Sequence, residues 1–291
     1  MAPTAQDHIN IGMQLVHDGD TNAALEQFNH ALQLAPGSPA ALLGRGFLRH
    51  ELGNLEGALQ DLTALLAQQP DHLGARMRRG LVLRELGRVE QAGADFAYAV
   101  QRAPRDPDVL YNRALFYQEI GDMPAALADL TRALDLRPDH IPTLNNRGLA
   151  RAVLEDVPGA LADFNRSLAL QPDQPRVLNN RGLARRTIGD LSGAMADFTA
   201  ALALDSGRPD TLYNLGVTRV RAGNPLGAVE SFQRALAFWP DDPELTYRVG
   251  WAYAHAGRCR EALEWLGEAI SLDPHLGDLA AEDPAFDPCR G

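Results

Sequence analysis

Lysine is absent from this chain of 291 residues, and all 27 basic residues are arginine. With no side-chain amine, Schiff-base catalysis is excluded and the N-terminus is the one amine nucleophile left. Cysteine is almost absent too. Cys259 and Cys289 lie far apart in sequence and form no CxxC pair, so neither a disulfide framework nor a zinc site is signalled, and a reducing compartment is expected. No apolar run reaches the roughly 18 residues of a membrane span. The opening stretch, MAPTAQDHINIGMQ, lacks the basic and then apolar regions of a secretory leader. The reading is a soluble, cytoplasmic protein. Excess positive charge is missing as well: the net charge is -11, so generic affinity for nucleic acid or an anionic membrane is not expected. Aromatics make up 6% of a chain that is 45% hydrophobic, a composition suited to helix packed on helix.

What the sequence does have is one period. LNNRG at Leu144–Gly148 returns at Leu178–Gly182, 34 residues later, and a closing proline recurs at Pro36, Pro70, Pro104, Pro138, Pro172, Pro240 and Pro274, with Ser206 in the remaining place. That period belongs to a two-helix unit that stacks on its neighbours. It divides the chain into a leader, 1–4, eight units at 5–38, 39–72, 73–106, 107–140, 141–174, 175–208, 209–242 and 243–276, and a cap and tail at 277–291. Gly followed by Asp or Asn punctuates the units in mid-course, as at Gly19-Asp20, Gly53-Asn54, Gly121-Asp122, Gly189-Asp190 and Gly223-Asn224. Glycine closes the first helix in the left-handed conformation, and the Asp or Asn caps the second. Ser38-Pro39, Asp106-Pro107 and Asp242-Pro243 open the first helices with a cap and a proline.

Small residues hold fixed places. The eighth position of each unit is glycine except for Ala114, and the twentieth is alanine in all eight, from Ala24 to Ala262. Glycine inside a helix costs about 1 kcal/mol against alanine, so close backbone approach of the two helices is expected there. Glu155 stands where the other seven units have glycine, which predicts a strained left-handed residue. Arginine fills the seventh position in units two to six (Arg45, Arg79, Arg113, Arg147, Arg181), and the same units have Asp in the twenty-third (Asp61, Asp95, Asp129, Asp163, Asp197), while the other three have neither. Joint presence and joint absence predict five structural ion pairs. In the tail, a short helix through Ala281 is expected before Pro284 and Pro288 turn the chain away, with Leu276, Leu279 and Phe286 covering the last apolar face.

The run Leu212-Tyr213-Asn214-Leu215-Gly216, then Ala228, Phe232 and Pro240, resembles the tetratricopeptide repeat, and the resemblance spans about nine tenths of the chain. It implies an all-α fold: a right-handed superhelical solenoid of eight helix-turn-helix repeats with a short C-terminal cap. It also implies a protein-binding scaffold whose groove is lined by the first helix of each unit. On that face the sixth position gives an asparagine ladder, Asn112, Asn146, Asn180 and Asn214, whose amides can hold a peptide backbone at two points. Beyond it lies an expected floor of Arg186, Arg221 and Arg248 with Tyr213, Tyr247 and Trp251. Guanidinium forks and aromatic rings there suit an acidic peptide or a C-terminal carboxylate. The carboxylate clamp of some chaperone-binding relatives uses lysine, which this chain lacks.

No HxxxH, GxSxG, GxxxxGK[ST] or dinucleotide fingerprint occurs, so neither an enzyme, a cofactor nor a metal site is expected. The function expected is a non-enzymatic adaptor that holds an extended segment of a partner protein. The alternative is a structural or self-associating subunit of a larger assembly; partner identity and oligomeric state are not encoded in any motif.

Overall fold

The computed structural model describes residues 2–290. Among these, every regular element is helical, and the first helix of each hairpin begins at the first residue of a 34-residue unit. The chain forms two compact units, Met1–Pro138 and Asp139–Gly291. In the first, α1 (Ala5–His17) pairs with α2 (Thr21–Leu34), α3 (Pro39–Glu51) with α4 (Leu55–Gln68), α5 (Leu73–Glu85) with α6 (Val89–Arg102), and α7 (Pro107–Glu119) with α8 (Met123–Leu136). In the second, α9 (Ile141–Val153) pairs with α10 (Val157–Leu170), α11 (Pro175–Thr187) with α12 (Leu191–Leu204), α13 (Pro209–Arg221) with α14 (Pro225–Leu236), and α15 (Pro243–His255) with α16 (Cys259–Leu272). A short α17 (His275–Glu282) and a 3-10 turn, Pro284–Cys289, end the chain. Among the described residues no helix is long and apolar enough to cross a membrane.

The caps act where the dipeptides place them. Asp20, Asn54, Asp122, Asp156, Asp190 and Asn224 each accept the third amide of the following helix. Seven glycines that close first helices have φ between 69° and 82°, and Glu155 shares their conformation at φ 63°. A side chain with a Cβ pays roughly 1 to 2 kcal/mol for that geometry. Glu155→Gly is therefore expected to leave thermal stability unchanged or raise it by up to that amount. A lower melting temperature would show that the carboxylate makes an offsetting contact.

All eight alanines at the twentieth position are fully buried. At the eighth position the expected backbone approach is found at Gly250, where a Cβ would stand 3.0 Å from the Ala262 carbonyl oxygen and 3.2 Å from the Leu266 amide nitrogen, but other hairpins have a different reason for the glycine. A Cβ at Gly148, Gly182 or Gly216 would stand 2.6, 2.7 or 2.5 Å from the ring of Phe164, Phe198 or Phe232. In these three hairpins the second helix thus lays an aromatic ring across the glycine, rather than its own backbone. The hairpin that carries Ala114 has Leu130 where these three have phenylalanine.

The five predicted ion pairs form. Arg45–Asp61, Arg79–Asp95, Arg113–Asp129, Arg147–Asp163 and Arg181–Asp197 lie 2.6 to 2.7 Å apart, with every carboxylate nearly buried. Each Asp also takes a second guanidinium, from Arg49, Arg76, Arg132, Arg151 or Arg185.

The C-terminal end departs from expectation. Cys259 and Cys289 are joined in a disulfide, so the two cysteines are neither free nor unrelated. Pro284 and Pro288 do not turn the tail away: they lie in the 3-10 turn, which packs back on α15 and α16. Phe286 is buried against the Tyr247 ring, with centroids 5.7 Å apart. Leu276 is buried as expected, but Leu279 is 48% exposed, because Phe286 and the cysteine link cover the apolar face in its place.

Candidate functional site

Successive first helices touch within each unit: α1, α3, α5 and α7 in the first, and α9, α11, α13 and α15 in the second. Their side chains at positions two, five, six, nine, twelve and thirteen therefore share a face. The ninth position is apolar in every hairpin, namely Met13, Phe47, Leu81, Leu115, Leu149, Leu183, Val217 and Trp251. Helical spacing alone assigns such a row to the core, yet Met13 is 54% and Leu149 42% exposed. The row is an apolar stripe along the floor of this face.

The two units line that face differently. In the first, the Phe28 ring fills the place a side chain at Gly44 would take, 2.5 Å from where its Cβ would stand, and a groove of about 590 Å³ is lined by Met13, Val16, Leu43, Gly44, Phe47 and Gly74. Its arginine, Arg78, lies 4.2 Å over the Phe47 ring and pairs with Glu51 at 3.1 Å. Arg84 is paired likewise, with Glu119 at 3.2 Å. Positive charge on the face of the first unit is thus answered from within the chain.

In the second unit a pocket of about 440 Å³ is enclosed by Arg186, Tyr213, Val217, Val220, Arg221, Arg248, Trp251 and His255. The structure brings together all three expected arginines there, with Tyr213 and Trp251. Arg248 packs 5.5 Å from the Trp251 ring and 5.9 Å from Tyr213. Burial works to lower its pKa, but Glu244, 2.7 Å away, and Tyr213 outweigh that and raise it. Among the described residues Arg186 hydrogen-bonds only the Asn214 carbonyl and side-chain oxygen, both at a long 3.5 Å. Burial pushes its guanidinium below the ordinary value, and the Arg221 charge pushes it further. Among the described residues neither Arg186 nor Arg221 has a carboxylate partner. His255, Val217 and Val220 were not singled out in sequence. Val217 belongs to the apolar stripe, and His255 stands edge-on to Trp251 at 4.4 Å.

Tyr247 does not belong to this floor. It is 1% exposed, and its hydroxyl donates to Asp283 at 2.8 Å. Burial and that bond push its phenol well above the ordinary value, so it stays neutral beneath the cap. The asparagine ladder is also less uniform than one residue per hairpin implies. Asn112 and Asn146 donate to carbonyls of their own helices, Asp108 and Pro142, at 2.7 and 2.9 Å. Asn214 donates to Asn179 Oδ1 at 3.2 Å, a residue sequence reading passed over. Asn180 is half-buried, with no side-chain hydrogen bond among the described residues.

The hairpins have counterparts in solved structures. A tetratricopeptide repeat protein from Parabacteroides merdae superposes with a TM-score of 0.64 at 18% identity, over 84% of this chain and 97% of that one. Pseudomonas aeruginosa pilF gives 0.63 at 19%, over 71% and 94%. YrrB, described as a TPR protein with an unusual peptide-binding site, gives 0.56 at 20%, over 65% and 98%. No curated protein matches in sequence. Tetratricopeptide repeat profiles match residues 10–72, 48–107, 77–141 and 213–276, and a second profile of the same name matches 152–212. With helix bounds, glycine turns and buried alanines all keeping the same register, the chain belongs to the tetratricopeptide repeat family.

Proposed function

We propose that this chain is a non-enzymatic scaffold that holds an extended, acidic segment of a partner protein along the first-helix face of its second unit. The observation that carries this reading is the pocket where Arg186 and Arg221 lie without carboxylate partners beside the aromatic walls of Tyr213 and Trp251. Unpaired guanidinium groups at a concave, partly apolar site favour an oxyanion ligand. The side-chain amides of Asn180 and Asn214, on neighbouring helices, supply contacts to a peptide backbone. YrrB supports the reading by analogy, as an array of this fold with a peptide-binding site. The disulfide weighs against the cytoplasmic expectation, since such bonds persist mainly in oxidising compartments.

Titration with an Asp-rich decapeptide, followed by tryptophan fluorescence to which Trp251 contributes beside Trp239 and Trp265, tests the reading. Arg186→Gln with Arg221→Gln is expected to slow association and flatten its salt dependence. Asn180→Ala with Asn214→Ala is expected to weaken binding about five- to a hundredfold, from two hydrogen bonds of about 0.5 to 1.5 kcal/mol each. Equal affinity of wild type and both variants would remove the second-unit face as the binding surface.

A further inference from the structure

The charge of the second-unit pocket exceeds what the chain itself answers. Three guanidinium groups, Arg186, Arg221 and Arg248, border one space of about 440 Å³, and among the described residues Glu244 is the one carboxylate paired with them. All three keep their charge at any physiological pH. Arg186 is half-buried, and its nearest polar contacts are neutral oxygens of Asn214 at 3.5 Å. Among the described residues, two positive charges therefore stand together without a carboxylate partner, and the Arg221 charge adds to burial in pushing the Arg186 guanidinium below its ordinary value. The first-helix face of the first unit shows the contrast, with Arg78 and Arg84 each paired to a glutamate.

A peptide carboxylate brings one negative charge and two oxygens. A phosphate monoester brings about -1.5 to -2 at neutral pH and three acceptor oxygens, which matches two guanidinium forks side by side. We propose that the Arg186–Arg221–Arg248 pocket recognises a phosphorylated side chain on the bound segment. This rests on the peptide reading above and names the anion that reading leaves general. A peptide-borne phosphate fits better than a nucleic-acid phosphate, because the same face continues into Asn214, Asn180 and the apolar Val217 and Leu183, while the chain as a whole carries a net charge of -11. Val217, Val220 and Trp251 wall the pocket with apolar surface, which strengthens charge-assisted bonds inside it.

Isothermal titration of the full chain with three undecapeptides of one Gly/Ser/Asp sequence, bearing phosphoserine, glutamate or serine at the centre, tests the assignment. The phosphoserine peptide is expected to bind about tenfold or more tighter than the glutamate peptide. Arg186→Gln is expected to cut that preference below about threefold, and Arg221→Gln, at an exposed position, serves the same purpose should the first variant misfold. Equal affinity for the phosphoserine and glutamate peptides would overturn the phosphate assignment while the acidic-peptide reading stands. No binding by any of the three would overturn both. Inorganic phosphate binding as tightly as the phosphoserine peptide would mark a free-ion site and overturn recognition of a peptide-borne group.

Discussion

Asp163→Ala is expected to destabilise the second unit by about 3 to 5 kcal/mol. The carboxylate is 4% exposed and holds Arg147 at 2.7 Å and Arg151 at 2.8 Å. Removing it leaves two largely covered guanidinium groups facing each other without a counter-charge, which is why the loss exceeds the value of a single hydrogen bond. The pair Arg166–Asp139 in the same unit is the internal control. It is as short, at 2.6 Å, but its side chains are 55% and 58% exposed. Asp139→Ala should therefore cost no more than about 1 kcal/mol. Because hairpin arrays lose cooperativity along their length, hydrogen exchange of the α9 and α10 amides is a better measure than one melting temperature. Equal effects of the two substitutions would show that burial does not set the strength of these pairs.

The second large effect is at the C-terminal end. Cys289→Ser opens the link to Cys259, whose sequence separation is 30. By chain entropy a loop of that size is worth about 3 to 4 kcal/mol. The loss should appear locally, as faster exchange in the 3-10 turn and in α17, and as exposure of the Phe286 site on Tyr247. Reduction of the wild type with dithiothreitol should reproduce the change. Unaltered exchange in that segment after reduction would show that Phe286 and the Tyr247–Asp283 bond hold the cap unaided.

The hairpin array was legible because it is written eight times, and a contact that recurs with its register can be read from co-occurrence. That is how Arg147 could be joined to Asp163, and how Glu155 stood out as the non-glycine in a left-handed turn. Features written once were not legible. The Cys259–Cys289 link depends on how a unique tail folds back, and no spacing rule encodes that. Burial of Tyr247 has the same cause: its position faces a neighbouring hairpin elsewhere, but at the last hairpin it faces Phe286. The second arginines come from three different positions, the eleventh at Arg49, Arg151 and Arg185, the fourth at Arg76 and the twenty-sixth at Arg132, so joint presence gave no signal. The candidate site was half legible. Composition at the groove positions located Arg186, Arg221, Arg248, Tyr213 and Trp251 on one face, while the state of each amide did not follow. Asn112 and Asn146 turn their donors to their own helices, a choice set by local side-chain geometry rather than residue type.

A partner segment held on the first-helix face of the second unit, as proposed, would pass over Val217. A photo-crosslinking residue in place of Val217, within the pocket, compared with one at Ala200, exposed on α12, tests this in the source cell. One dominant crosslinked species is expected from position 217, lost when Arg186 and Arg221 are replaced by Gln, and none above background from position 200. Crosslinks of equal yield from both positions, or from 200 alone, would contradict it.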